Sequence, residues 1–488
     1  MRKNFITNIS FLLLLNLLVK PFWIIGIDRS VQNAVGPDAY GVYFSLFNFS
    51  FLFQVILDFG INNFNNRLVA SRPERLGGYL YTTLIAKLLL SLIYLIILFI
   101  AAFGIRFSGT QLNLLGALAL MQILMSFYSF LRSNVSALHL FKTDAVLSVL
   151  DKVITSVICA IILWTQWWRV SISVQLFVEV QIAGYIAALT VALMIILRQR
   201  ISIQWKFDKK ILRTIFYESY PYALLGFLMT AYYRTDGVMI ERMLGDQGAY
   251  EAGIYASAFR LMDALNILGF MFAGLLLPMF ARMIENREDI RPLLDLSFKM
   301  MLLFCGTGGI TCLFFRQQIM ELLYTSGSSY SATIFGWLMI SFIAISLTYI
   351  FGSLITAHGS IRKLNILSLT GFFVNLVLNA LLIPELKALG SSIATVCTQI
   401  VILGAHIYIA GKLFSLPFEF KKWMPVFLFL LCIVAVNFGV QFLPIQWYMQ
   451  FGLAISLSVA AVVPAGIIRF SDLRTFLSNG LSSLRKKA

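Results

Sequence analysis

Long apolar runs follow one another along the whole chain, separated by short segments that contain charged, glycine or proline residues. A helix needs about 20 mostly apolar residues to cross the hydrocarbon core of a bilayer. The pattern therefore predicts about 14 membrane-spanning helices, near residues 6–28, 40–63, 78–104, 111–131, 145–165, 174–197, 214–240, 251–281, 298–315, 333–357, 364–383, 388–410, 424–443 and 448–468. The gaps are too short for a soluble catalytic domain. The first run is too long for a signal peptide and lacks a small-residue cleavage site, so we expect a retained first helix.

The composition agrees with a polytopic membrane protein. Of the 488 residues, 59% are hydrophobic and only 12% are charged, and the mean hydropathy is +0.85. Soluble domains are about 45–50% apolar and about 25% charged, so this chain has too few charges to cover a soluble surface. A cytosolic enzyme, a secreted disulfide scaffold and a disordered tail protein are thereby excluded. The five cysteines all lie in apolar runs without a CxxC pair, which indicates small buried side chains.

The basic residues predict the orientation of the spans. The formal net charge is +16, and if both termini are cytoplasmic, most of the 38 lysines and arginines fall on inner segments or inner helix ends, Lys152 among them. The few on the outer side are Arg29, Arg106, Arg169, Arg242, Arg316 and Lys387. This asymmetry is the positive-inside pattern. The charge is therefore interpreted as a topological signal that faces anionic lipid, and no nucleic-acid partner is expected.

Two stretches of the sequence repeat a pattern. Asp28 is followed by Val35-Gly36 and Tyr40-Gly41-Val42-Tyr43, and Asp236 is followed by Leu244-Gly245 and Ala252-Gly253-Ile254-Tyr255. Because the copies are six spans apart, they imply parallel repeats related by an axis along the membrane normal; a chance similarity is the alternative. The predicted lobes are residues 1–200 (helices 1–6) and 201–415 (helices 7–12), followed by helices 13–14 in 416–470 and a basic cytoplasmic tail in 471–488.

Three motifs resemble one protein family. The segment from Tyr233-Arg234-Thr235-Asp236 through Gly253-Ile254-Tyr255 to Ala258-Phe259-Arg260-Leu261 resembles the seventh and eighth helices of polysaccharide flippases. These flippases belong to the multidrug/oligosaccharidyl-lipid/polysaccharide exporter superfamily. Leu57-Asp58-Phe59-Gly60-Ile61 resembles the end of their second helix, and Asn375 to Pro384 with Gly390 to Thr395 resembles their eleventh-to-twelfth hairpin. The resemblance implies an all-α, V-shaped, alternating-access transporter of the bacterial inner membrane, with both termini cytoplasmic.

Charged side chains inside the predicted spans are the candidate site residues. A charge at the bilayer centre costs at least about 2.5–3.5 kcal/mol, so it usually faces the bundle interior or a wet cavity. By the resemblance, spans 1, 2, 7 and 8 border the central cleft, where cations could receive the diphosphate of a lipid carrier and its acidic sugars. The candidate substrate-binding residues are Lys20, Lys87, Arg234 and Arg260. Candidates for ion coupling or for lining the cleft are Asp28, Asp58, Asp236, Asp263, Asn375 and Asn379.

Structural pairing is the alternative for several of these residues. Arg260 and Asp263 are three apart on one helix and could neutralise each other, whereas Arg234 and Asp236 do not share a helical face. Asn375 and Asn379 are four apart, and interhelical hydrogen bonding is the preferred interpretation for both.

No motif indicates an enzyme. The chain lacks GxxxxGK[ST], and its three histidines form neither a triad nor a metal cluster, so we expect no catalytic residue, no metal and no cofactor. The resemblance predicts a flippase for undecaprenyl-diphosphate-linked oligosaccharide repeat units, with that lipid as ligand and a polysaccharide polymerase and a chain-length regulator as protein partners. The alternatives are a peptidoglycan-precursor flippase, a multidrug cation antiporter and a non-transporting scaffold of a polysaccharide-assembly complex.

Overall fold

A computed structural model describes residues 2–62, 76–138, 140–165, 171–199, 209–416, 420–462 and 464, and all regular secondary structure in these ranges is helical. The described α-helices, labelled α1 to α15 in chain order, are Arg2–Pro21, Arg29–Leu52, Gln54–Asp58, Leu76–Gly104, Gly109–Ala137, Phe141–Trp164, Val174–Arg198, Lys209–Met243, Gly248–Glu285, Arg291–Phe314, Arg316–Leu323, Ser329–Ala357, Ile361–Phe414, Phe420–Val440 and Trp447–Ala460. A π-helix, Phe22–Asp28, joins α1 to α2.

The helices match the predicted spans. Within the described ranges, nine helical stretches are long and apolar enough to cross a membrane. Two of them, Phe11–Leu52 and Ile361–Phe414, each overlap two predicted spans. The three remaining spans coincide with the more polar helix α8 and the shorter apolar helices α14 and α15. The prediction of an all-α polytopic membrane protein with about 14 spans is therefore confirmed; the proposed tail at 471–488 lies outside the described residues.

Local sequence explains where the helices bend. Gly36 has φ 82° inside α2, a backbone conformation that glycine adopts without penalty. Pro37 follows it and can begin a new helical turn because the first turn needs no N–H partner. Lys387 breaks α13 at φ 54°, between predicted spans 11 and 12, in a conformation that a lysine, unlike a glycine, adopts only at a cost. The π-helix follows directly on Pro21, whose ring removes one backbone hydrogen bond.

The chain forms two compact units. The first consists of Met1–Leu268, Tyr324–Ser326 and Ile361–Ala394, and the second of Gly269–Leu323, Gly327–Ser360 and Thr395–Ala488. In the second unit, Phe315 packs with Val440 and Ala454 in a small apolar core. The predicted division into lobes at residues 200 and 415 stays a prediction.

The two copies of the repeated pattern meet inside the first unit. A Cβ atom on Gly41 would lie only 2.7 Å from the Gly253 nitrogen, and one on Gly253 would lie 2.6 Å from the Pro37 carbonyl carbon. The Gln32 side-chain amide donates a hydrogen bond to the Gly253 carbonyl oxygen at 2.9 Å. Helices α2 and α9 therefore touch backbone to backbone at corresponding glycines of the two copies.

Candidate functional site

A cavity of about 230 Å³ lies within the first unit. Its walls come from α1, the π-helix, α2, α5, α6, α7 and α9, and the lining residues are Lys20, Trp23, Ile24, Asp28, Tyr43, Phe47, Met121, Met125, Lys152, Gln181, Tyr185, Arg260 and Ile267. Three of the candidates from the sequence, Lys20, Asp28 and Arg260, thus come together around one cavity.

The π-helix contributes to the wall of this cavity. It spans Phe22–Asp28, and Trp23, Ile24 and Asp28 all line the cavity together with Lys20, which lies just before Pro21. A π-helical turn contains an extra residue and changes the direction in which the following side chains point. The turn that follows the proline thus carries three of the lining residues, Trp23, Ile24 and Asp28.

Arg260 is held by a carboxylate and a hydroxyl. Its Nε lies 3.0 Å from Asp28 Oδ2 and donates a hydrogen bond to the Tyr40 hydroxyl at 3.2 Å. Tyr40 in turn donates to the same Asp28 oxygen at 2.8 Å. The guanidinium also lies over the rings of Phe44 and Phe47, at 5.6 and 5.5 Å from their centroids. These contacts compensate the cost of placing both charges in the bundle.

Two lysines complete the charged lining. Among the described residues, none forms an ion pair or a hydrogen bond with the half-buried Lys20 side chain. Lys152 is instead surrounded: its ammonium is 3.4 Å from Asp151 Oδ2, donates to the Tyr185 hydroxyl at 3.4 Å and lies 4.9 Å from the Trp23 ring centroid.

Lys152 is the functional candidate that sequence reasoning missed. The charge asymmetry places it at an inner helix end, although it lies two turns inside the span predicted at 145–165 and well inside α6. Its depth in the span was the signal that could have found it, because a charge at that depth normally faces the interior of the bundle.

Arg234 lies outside this cavity lining and pairs with a different carboxylate. Its Nη1 is 3.6 Å from Asp263 Oδ2 and donates to Asn48 Oδ1 at 3.4 Å, while its guanidinium lies 5.0 Å from the Phe51 ring centroid. Asp263 also accepts a hydrogen bond from Tyr233 at 2.7 Å. The alternative pairing of Arg260 with Asp263 is wrong, because helix packing brings each arginine to a carboxylate of another helix.

Lys87 is fully buried and also lies away from the cavity. Its ammonium is 3.5 Å from Asp58 Oδ1 and donates to the Leu57 carbonyl oxygen at 3.0 Å. Asp58 and Leu57 end helix α3, where Phe59 and Gly60 adopt positive φ angles of 44° and 78°. The Leu57 carbonyl oxygen also accepts a hydrogen bond from the Ser126 hydroxyl at 3.0 Å. The lysine thus adds a second donor to this carbonyl and pairs with a carboxylate at a helix C-terminus, a favourable place for a cation.

Asp236 and the two asparagines form a separate buried cluster. Asp236 accepts hydrogen bonds from Tyr255 at 2.7 Å and from the Asn379 amide at 2.8 Å. The same amide nitrogen of Asn379 is 3.0 Å from the Asn375 carbonyl oxygen. Asn379 therefore makes an interhelical contact between α13 and α8. In the described ranges, no group of three or more histidine, cysteine, aspartate or glutamate side chains is arranged to hold a metal ion.

Comparison with known proteins identifies a family. The family model described as polysaccharide biosynthesis protein matches residues 5–284, which is more than half of the chain. The lipid III flippases of Escherichia coli (strain K12) and Shigella flexneri are each 27% identical over 166 residues, 34% of this chain and 40% of theirs. The chain thus matches about 40% of the length of these curated relatives.

Solved structures share the fold. A lipid II flippase, MurJ, in an inward closed conformation superposes with a TM-score of 0.72 at 13% identity, covering 94% of this chain and 99% of the other. An inward-facing multidrug resistance MATE family transporter of the MOP superfamily gives 0.66 at 14% identity, covering 81% and 94%. At these identities the likeness shows the fold alone, which is that of a membrane transporter.

Proposed function

The chain belongs to the polysaccharide biosynthesis protein family, which confirms the resemblance found in the sequence, and from this premise we propose that it is a flippase for undecaprenyl-diphosphate-linked oligosaccharide repeat units. It would move them from the cytoplasmic to the outer leaflet of the bacterial inner membrane. Movement would occur by alternating access of the lobes 1–200 and 201–415, with both termini cytoplasmic.

The observation that carries this proposal is the charged lining of the cavity. Lys20, Lys152 and Arg260 line it with one carboxylate, Asp28. Ammonium and guanidinium groups donate strong, charge-assisted hydrogen bonds to phosphate oxygens, and an arginine stays ionised even where water is scarce. A ligand with a diphosphate, such as a polyprenyl-linked oligosaccharide, fits this chemistry.

The size of the cavity limits what it holds. At about 230 Å³ it is smaller than the roughly 300–1,000 Å³ of pockets that enclose a drug-sized ligand. One charged group of the head would therefore occupy it, while the polyprenyl chain stays in lipid. Outward movement of an anion from a negative-inside cell is favoured by about 2.3 kcal/mol per charge per 100 mV, so transport need not require ATP.

Deletion of the gene in its source cell is the test. We expect one complete lipid-linked repeat unit to accumulate on the cytoplasmic side, inaccessible to externally added glycosidase. The wild-type gene and the control variant Arg291→Gln, which changes an exposed arginine, should restore export. Arg260→Gln, at unchanged protein level, should not. Normal lipid intermediates in the deletion strain would refute the proposal.

The alternatives predict other outcomes of the gene deletion and of the neutralised variants. Accumulation of a peptidoglycan precursor would indicate a flippase for that lipid. Normal lipid intermediates with altered drug tolerance would indicate a multidrug cation antiporter, for which an acidic cavity with few lysines and arginines is expected. Full activity after neutralisation of Lys20, Lys87, Arg234 and Arg260 would favour a non-transporting scaffold. Partnership with a polymerase and a chain-length regulator is part of the proposal.

A further inference from the structure

Arg260 contacts its protein partners through one edge of the guanidinium. Nε makes both polar contacts, to Asp28 Oδ2 at 3.0 Å and to the Tyr40 hydroxyl at 3.2 Å. Among the described residues, neither Nη nitrogen has a hydrogen-bond partner, although Arg260 lines the cavity. The two groups best suited to bidentate binding of a phosphate or carboxylate are thus left available.

The direction of each hydrogen bond in this network is fixed by chemistry. A guanidinium has no acceptor, so the Tyr40 oxygen must accept from Arg260 Nε. An ionised carboxylate has no donor, so the Tyr40 hydroxyl must donate its proton to Asp28 at 2.8 Å. Tyr40 and Asp28 are 0% and 3% exposed, so packing holds both side chains in place. The Phe44 and Phe47 rings then restrict the plane of the guanidinium.

We propose that Asp28 and Tyr40 are positioning residues that hold Arg260 by Nε and so direct its two Nη groups to the anionic head of the transported lipid. This inference rests on the proposed function and assigns Asp28 a role through Arg260 in place of ion coupling. An arginine fixed in this way loses little side-chain freedom when it binds. Without the carboxylate and the hydroxyl, the guanidinium would have to be ordered by the substrate, and apparent affinity would fall.

The test is initial-rate flipping by the full-length protein in proteoliposomes. The probe is the polyprenyl-diphosphate oligosaccharide extracted from cells that lack the gene, varied in membrane density. Asp28→Asn and Tyr40→Phe are compared with wild type. Tyr94→Phe is the matched control, because Tyr94 is also fully buried and its hydroxyl donates only to the Ser50 carbonyl oxygen, at 3.2 Å.

We expect both positioning variants to raise the half-saturating substrate density about ten-fold or more, as for the loss of a hydrogen bond to a charged group, with little change in maximal rate. Tyr94→Phe should match wild type. A lower maximal rate at unchanged half-saturation in Tyr40→Phe would overturn the inference. The inference would also be overturned if Tyr40→Phe flipped lipid like wild type while Asp28→Asn no longer responded to an imposed ion gradient.

Two further results have a fixed interpretation. If Asp28→Asn does not fold, Tyr40→Phe alone decides, because it leaves every formal charge in place. If the wild-type protein does not flip the extracted lipid, the proposed function fails. If the wild-type protein flips the lipid and both positioning variants keep the wild-type affinity, only the positioning role fails.

Discussion

The contact between Gly41 and Gly253 allows a direct test of the proposed alternating access. A Cβ atom on Gly41 would lie 2.7 Å from the Gly253 nitrogen, about 0.7 Å inside the 3.4 Å at which ordinary contact begins. The nearby Ala249 carbonyl oxygen would be closer still. The three atoms nearest to this Cβ all belong to the backbone, so no side-chain rotation can move them away in Gly41→Ala.

The predicted topology puts this contact at the outer ends of α2 and α9. Overpacking of this kind costs about 1–3 kcal/mol. In the proposed alternating access, these helix ends would move apart when the outer side opens, and the strain would then disappear. Gly41→Ala should therefore shift the equilibrium toward the outward-open state by about 5- to 150-fold, since each 1.4 kcal/mol is a factor of ten.

Cysteine labelling measures this shift. Ser45 lies one turn beyond Gly41 and is fully buried, so Ser45→Cys in a background without the five native cysteines reports opening. The Ser45 hydroxyl donates to Glu241 Oε2 at 3.5 Å, and this bond is altered equally in the parent and in Gly41→Ala. An impermeant maleimide added outside should react faster in Gly41→Ala. Gly226→Ala is the control, because a Cβ there meets open space. Folded Gly41→Ala protein with parental labelling, or failure of this variant to fold, would refute the reasoning.

Three other predictions concern the charged residues. Asp58→Asn should lower the free energy of unfolding by about 1–3 kcal/mol, because it leaves the buried Lys87 ammonium without its partly exposed carboxylate partner; thermal unfolding in detergent measures this. Lys20→Gln should abolish export while Lys20→Arg retains it, as judged by accumulation of the lipid-linked repeat unit. Arg234→Lys should lower the free energy of unfolding by about 1–2 kcal/mol, because an ammonium cannot replace a planar group stacked near the Phe51 ring.

Each of these has a result that contradicts it. Asp289→Asn changes an exposed carboxylate and should leave the unfolding temperature unchanged, so equal midpoints for Asp289→Asn and Asp58→Asn would argue against the buried pair. Export by Lys20→Gln at the wild-type rate would remove Lys20 from the site. An Arg234→Lys protein as stable as wild type would show that the ring contacts contribute nothing measurable.

The sequence predicted the helices well and their internal irregularities less well. Apolar runs mark the hydrocarbon core, so each predicted span coincides with a helix, but a helix continues into polar residues that the run does not include. Helix α10, for example, begins at Arg291, seven residues before the predicted span. The π-helix Phe22–Asp28, by contrast, is not distinguished from the α-helix before it by the pattern of apolar residues.

For the site, the sequence identified charged positions and left their partners open. Lys20, Asp28 and Arg260 line one cavity, whereas Arg234 and Lys87 lie elsewhere. Which carboxylate meets which cation depends on how helices distant in sequence pack, as with Arg260 and Asp28. Tyr40 was visible in the repeated pattern, but nothing in one sequence showed that its hydroxyl meets Arg260.

The pairing of charges changes what the cavity can offer an anion. Four cations within the bundle, Lys87, Lys152, Arg234 and Arg260, each lie within 4 Å of a carboxylate in the described structure. Pairing offsets the cost of charge in the membrane, but it also lowers the field that a bare count of cations would predict. Attraction of a diphosphate must then depend on Lys20 and on donors that the pairs leave unused, the Arg260 Nη groups above all. Neutralising Asp28 would accordingly make the cavity more positive and still weaken binding of the anion. If net charge alone controlled affinity, the same change would strengthen binding.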